Sequence, residues 1–159
     1  MGYSTDFDGA FKLNKRLKFE DHKYLQDFAA IRHMKRKGLD PKYGVDGEFY
    51  VGVGTAIDDC GQADNLGVID FNHPSSTQPG LWCQWVPTED GQGIEWDGNE
   101  KFYSYVEWLT YLIDKILAPR GYVLDGEVAW QGEDSDDRGK IVVKNNAIKT
   151  LRGRTVYAE

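Results

Sequence analysis

Grouped carboxylates are the side chains best placed to do chemistry in this chain. Asp58, Asp59 and Asp64 fall in one long polar stretch, Gly54 to Asn65, and Glu133, Asp134, Asp136 and Asp137 fall in another. Carboxylates spaced along a loop can hold a divalent cation through hard oxygen ligands. They can equally meet a basic surface on another protein. The run Asp134-x-Asp136 opens like a calcium loop, but the distal glutamate that completes such a loop does not follow. The pattern favours solvated hairpin tips, with contact to a protein partner as the next reading, and no residue is assigned as a metal ligand.

Other chemistries have weaker support. His22, His33 and His73 are never three or four residues apart, so no helix presents a zinc-binding pair. Cys60 and Cys83 lack a CxxC neighbour, and whether they ever form a disulfide stays open. Val51-Gly52-Val53-Gly54 lacks the third glycine of a dinucleotide cradle, and there is no Gly-Lys-Ser/Thr phosphate loop. No catalytic residue is assigned and no cofactor is expected. Trp82 and Trp85 alternate in Leu81 to Val86, which places them on opposite faces of a strand. Trp82 is the candidate exposed anchor, since a tryptophan on a surface is a typical interface hot spot.

The 159 residues suit a single domain, 1–159, and 13% of them are aromatic. Net charge is −7 but unevenly spread: residues 1–45 carry +4, residues 46–137 carry −16 and residues 138–159 carry +5. So acidic a middle repels phosphate backbones, which disfavours nucleic-acid binding. No apolar run reaches the ~18 to 20 residues of a membrane span. Met1 to Lys15 has no apolar signal core, so a cytoplasmic location with reduced thiols is expected.

These side chains need elements to hold them. Phe102, Tyr105, Val106, Leu109, Leu112, Ile113 and Ile116 recur at helical spacing, predicting a helix capped by Asp97 or Asn99 and stopped by Pro119. Tyr103, Trp108 and Tyr111 fall off that stripe and either widen the buried face or form an exposed aromatic patch. A weaker stripe of Tyr24, Leu25, Phe28 and Ile31 predicts a helix over Phe19 to Lys35, its basic end facing the negative helix pole. Alternation predicts antiparallel strands joined by polar hairpin loops at Thr88–Gly93 and Glu133–Gly139. The fold class is α+β: antiparallel sheet or sheets with two helices packed on one face.

An internal duplication is also expected. Val45-Asp46-Gly47-Glu48-Phe49-Tyr50-Val51 parallels Leu124-Asp125-Gly126-Glu127-Val128-Ala129-Trp130, and Leu66–Asn72 parallels Arg138–Lys144. Tyr3–Asn14 likewise parallels Trp82–Asp97, each read as strand, turn and strand. Two ββαββ halves follow, about 2–72 and 81–145, joined by a turn-rich connector at His73–Gly80. The tail, 147–159, reads as polar and basic, with Thr155-Val156-Tyr157 as an edge strand.

The segments Gln78-Pro79-Gly80-Leu81-Trp82-Cys83-Gln84-Trp85-Val86-Pro87, Ile94-Glu95-Trp96-Asp97-Gly98 and Gly121-Tyr122 through Glu133 resemble a family of small bacteriophage and bacterial proteins without a characterised function. The resemblance covers roughly residues 45–145 and carries no catalytic residues. It implies an accessory protein acting inside a bacterial host cell. By analogy with anti-CRISPR proteins as a class, such a protein would bind and inhibit a host or defence protein with a basic surface. The competing readings are a small metal-dependent enzyme using loop carboxylates and a self-assembling structural protein. Homo-oligomerisation stays open.

Overall fold

Inward and outward side chains alternate along Thr5–Asp8, Ala10–Leu13, Trp85–Pro87 and the centres of Leu124–Gly132 and Arg138–Lys144, and that alternation builds a two-layer α+β fold. The computed structural model describes residues 2–52 and 65–158. Its main sheet comprises β1 (Thr5–Asp8), β2 (Ala10–Leu13), β5 (Trp85–Pro87), β6 (Gly93–Trp96), β7 (Leu124–Gly132), β8 (Arg138–Lys144) and β9 (Ala147–Arg152). The hydrogen-bonded order is β5-β6-β2-β7-β8-β9, with β1 also on β7, and every pairing is antiparallel. A separate two-stranded sheet joins β3 (Lys35–Arg36) to β4 (Val68–Asp70).

One sheet face carries Phe11, Trp85, Ile94, Leu124, Val128, Trp130, Ile141 and Val143, all buried. Against it pack α1 (Phe19–Ala30), through Leu25 and Phe28, and α2 (Tyr105–Tyr111), through Trp108 and Leu109. The helix continues past α2 as a π-helical stretch, Leu112–Leu117, and a 3₁₀ turn, Ala118–Arg120. The opposite face presents Asp6, Asp8, Lys12, Glu127 and Lys140 to solvent. Phe7 gathers the aromatics at edge-to-face geometry, with centroid distances of 5.3 Å to Trp85, 5.4 Å to Trp96 and 4.9 Å to Tyr105. No helix among the described residues is long and apolar enough to cross a membrane.

Both hairpin loops form as expected, at Thr88–Gly93 and around Glu133–Asp137. Several other expectations are corrected. Tyr3–Asn14 is no hairpin: Asp8 faces Ala129 and Phe11 faces Gly126, so β1 and β2 are one strand in one register, bent at Gly9 (φ 110°). Val45–Val51 opens with a 3₁₀ turn at Val45–Gly47, just after another at Pro41–Tyr43, instead of extending. The strand expected at Leu81–Val86 begins only at Trp85. Helix α1 stops at Ala30, so the basic run after it does not face a helix pole; His33 is buried and Lys35–Arg36 enter β3. Helix α2 begins after Ser104, beyond the expected caps, and Pro119 sits within the closing 3₁₀ turn. In the tail the strand is Ala147–Arg152, not Thr155–Tyr157, because those residues pair with β8 across the tight turn at Asn145–Asn146. The duplicated ββαββ unit is not confirmed: both halves show two strands, a helix and two strands in that order, but among the described residues β1 and β2 run on as one strand and β3 and β4 form a sheet of their own, whereas β5–β6 and β7–β8 are hairpins of the main sheet.

Candidate binding surface

The acidic loop of the second half is the β7–β8 hairpin tip. It is held by a network rooted in the residues just before β1. The Tyr3 hydroxyl donates to Asp137 Oδ2 at 2.7 Å, and the Trp130 indole N–H donates to Asp137 Oδ1 at 2.9 Å. These donors, Tyr3 first and then Trp130, hold the Asp137 carboxyl below the usual range. Asp134 N donates back to the Tyr3 hydroxyl at 3.1 Å, and Ser4 N donates to the Glu133 carboxylate. Gly132 permits this crowding: a Cβ there would sit 2.1 Å from Asp137 Oδ2 and 2.3 Å from the Tyr3 hydroxyl.

The anticipated site residues therefore divide. Glu133, Asp134 and Asp136 are exposed, and none has an ion-pair partner among the described residues. Asp137 is half-buried and braces the hairpin through its bonds from Tyr3 and Trp130. Asp58, Asp59 and Asp64, with Cys60, lie outside the described residues. Trp82 is half-buried in the irregular run before β5, away from a strand face, while Trp85 is fully buried and donates its indole N–H to Tyr105 O at 2.8 Å. Cys83 is buried, and burial pushes its thiol up to about 12, which keeps it inert as a nucleophile.

The exposed aromatic in this region is Tyr103, 55% accessible, whose hydroxyl accepts from Tyr3 N at 3.2 Å. It thus flanks the same N-terminal residues that hold the acidic tip. The signal for it lay in its position off the apolar stripe of the second helix; Trp108 and Tyr111, also off that stripe, are buried.

On the open sheet face next to the tip lies a groove of about 520 Å³. Asp6 and Asp8 line one side, Ala129 and Gln131 the floor, and Lys140 and Leu151 the other side. Ala129 lies opposite Asp8 on one neighbour and Lys140 on the other, and its small side chain leaves the depression. Gln131 Nε2 donates to Asp134 O at 3.2 Å, joining the groove to the tip. Three cations line it as well: Lys140, paired with Glu127 at 3.0 Å, Arg138, which donates to Ser135 O at 2.7 Å, and Arg152. Sequence reasoning missed Asp6 and Asp8 because nothing in β1 showed which strand would flank it.

Among the described residues no three His, Cys, Asp or Glu side chains gather in a group able to hold a metal. No family model, curated protein or solved structure matches the chain.

Proposed function

We propose that this is a binding protein, of the accessory phage type, that engages a basic surface on a host or defence protein through its acidic sheet end. The observation that carries this reading is the braced hairpin tip. Glu133, Asp134 and Asp136 are exposed and without ion-pair partners, on a loop tied to Tyr3 and Ser4. Carboxylates held in place lose less entropy on docking than carboxylates on a slack loop. Tyr103 supplies an adjacent aromatic anchor.

The test is a tagged pull-down from bacterial lysate at low and high salt. Wild type is compared with a Glu133→Gln, Asp134→Asn, Asp136→Asn variant and with Tyr103→Ala. A partner retained by wild type at low salt, released at high salt and lost by the charge-neutral variant supports the reading. A partner retained equally by all three proteins, or recovery of the protein alone, sinks it.

A further inference from the structure

The acidic middle of the chain, residues 46–137, contains only three cations, Lys101, Lys115 and Arg120. Two of these, Lys115 and Arg120, line one cleft with Lys42. Its remaining wall includes Tyr24, Tyr43 and Phe49, all half-buried. The cleft encloses about 240 Å³ and shares no residue with the acidic hairpin or its groove.

Each cation reaches the cleft for a separate structural reason. Lys115 projects from the π-helical stretch between two buried pairs, Leu112–Ile113 and Ile116–Leu117, so their burial fixes where it points. Widened helical turns of this kind recur at functional sites. Arg120 closes the 3₁₀ turn, lies over the Tyr24 ring at 4.7 Å and holds Asp21 at 3.0 Å through one nitrogen. Its guanidinium retains further N–H donors beyond that pair. Lys42 lies over the Tyr43 ring at 5.0 Å, in a turn that Asp40 caps by accepting from Lys42 N. Neither lysine has an ion-pair partner among the described residues. The Tyr24 hydroxyl is spent on Phe49 O at 2.8 Å, leaving its ring as a wall and not as a donor.

We infer that this cleft binds a small aromatic phosphomonoester. Three converging cations, only one of them partly neutralised, suit a phosphate dianion. The ring walls suit a flat apolar group attached to it. The volume lies below the range of about 300 to 1,000 Å³ that encloses drug-sized ligands, which limits the occupant to a phosphate with one small ring.

The test is a titration followed by amide NMR shifts, using phenyl phosphate, inorganic phosphate and phenol as probes. Phenyl phosphate should saturate below about 10 mM, shifting residues 42–43 and 115–120, and should bind about tenfold more tightly than either inorganic phosphate or phenol. The Lys42→Ala, Lys115→Ala double variant, altered only at exposed positions, should weaken phenyl phosphate about tenfold. Tyr43→Ala should shrink its advantage over inorganic phosphate. Absence of saturation, shifts located elsewhere, or binding unchanged in the double variant would overturn the inference.

Discussion

Asp-Gly-Glu occurs twice in this chain, at 46–48 and at 125–127, and the two copies adopt opposite structures. The first curls: Asp46 (φ 56°) and Gly47 (φ 72°) are both left-handed, and Glu48 turns inward to 3% exposure. The second lies extended in β7, with Gly126 opposite Phe11 and Val143 and Glu127 in solvent beside Lys140. The difference comes from what faces each copy. Residues 75–78 meet the first with a row of donors: Ser76 N and Oγ to Asp46 Oδ2 at 3.0 and 3.1 Å, Thr77 Oγ1 to Glu48 Oε1 at 2.9 Å, and Gln78 Nε2 to Glu48 O at 2.7 Å. Tyr111 adds its hydroxyl to Glu48 Oε1 at 2.8 Å, and Val45 N reaches Oε2 at 2.9 Å. Burial, together with this carboxylate, raises the Tyr111 hydroxyl well above its ordinary range, so it remains a donor. Two neighbouring strands meet the second copy instead, and their ladders hold it straight. Identical side chains become a buried clasp or a surface residue according to which donors the tertiary fold brings up.

Removing each glutamate separates the two roles most sharply. Glu48→Ala leaves three donors without their acceptor and should cost about 4 kcal/mol in denaturant unfolding. A loss no greater than that of Glu127→Ala would break the comparison.

Acid should weaken the fold through a buried histidine of the first half. His33 is fully buried beside Phe28 and Trp108, its ring nitrogen on Phe28 O at 2.8 Å, and burial depresses its pKa to about 4. In the unfolded chain it takes up its proton near pH 6.5. Its stabilising contribution is therefore complete above pH 6.5 and is lost as pH falls towards 4, for a total of about 3 kcal/mol. A pH series of urea midpoints should show this slope, and His33→Gln should flatten it.

The glycines test what the two copies share. Gly47→Ala would place a Cβ 2.9 Å from the Arg36 Cβ at a left-handed φ; Gly126→Ala would place one 3.4 Å from the Phe11 Cα at φ 118°. Each should cost about 1 to 2 kcal/mol by thermal melting. A neutral result at either position would show that its backbone relaxes. The smallest effect belongs to Glu127→Ala, which removes an exposed pair and should change stability by less than about 0.5 kcal/mol.

The second half was the more legible in the sequence. Alternation in Leu124–Trp130, polar turn residues at 133–137 and the apolar stripe through Ile116 each reported a local preference that the fold keeps. The first half was misread because its decisive partners are distant. His73–Gly80 read as a connector, yet Ser75, Ser76, Thr77 and Gln78 form the clasp around Glu48. Asp8-Gly9 read as a reversal because Asp-Gly favours turns, whereas pairing of both flanking segments with β7 keeps the chain running on. Of the acidic candidates, spacing marked the exposed tip at 133–136. It could not show that Asp137 would turn back to Tyr3 and Trp130, across 134 and 7 residues respectively.

Periodicity and turn chemistry were enough to set the α+β class, both polar hairpin loops and the acidic character of the surface, because these depend on residues within a few positions of one another. Strand order, the merger of β1 with β2, the burial of Glu48 and the gathering of Lys42, Lys115 and Arg120 into one cleft were decided by tertiary structure alone. Each depends on contacts between segments tens of residues apart, and a polar side chain's burial is set by the donors that packing delivers to it.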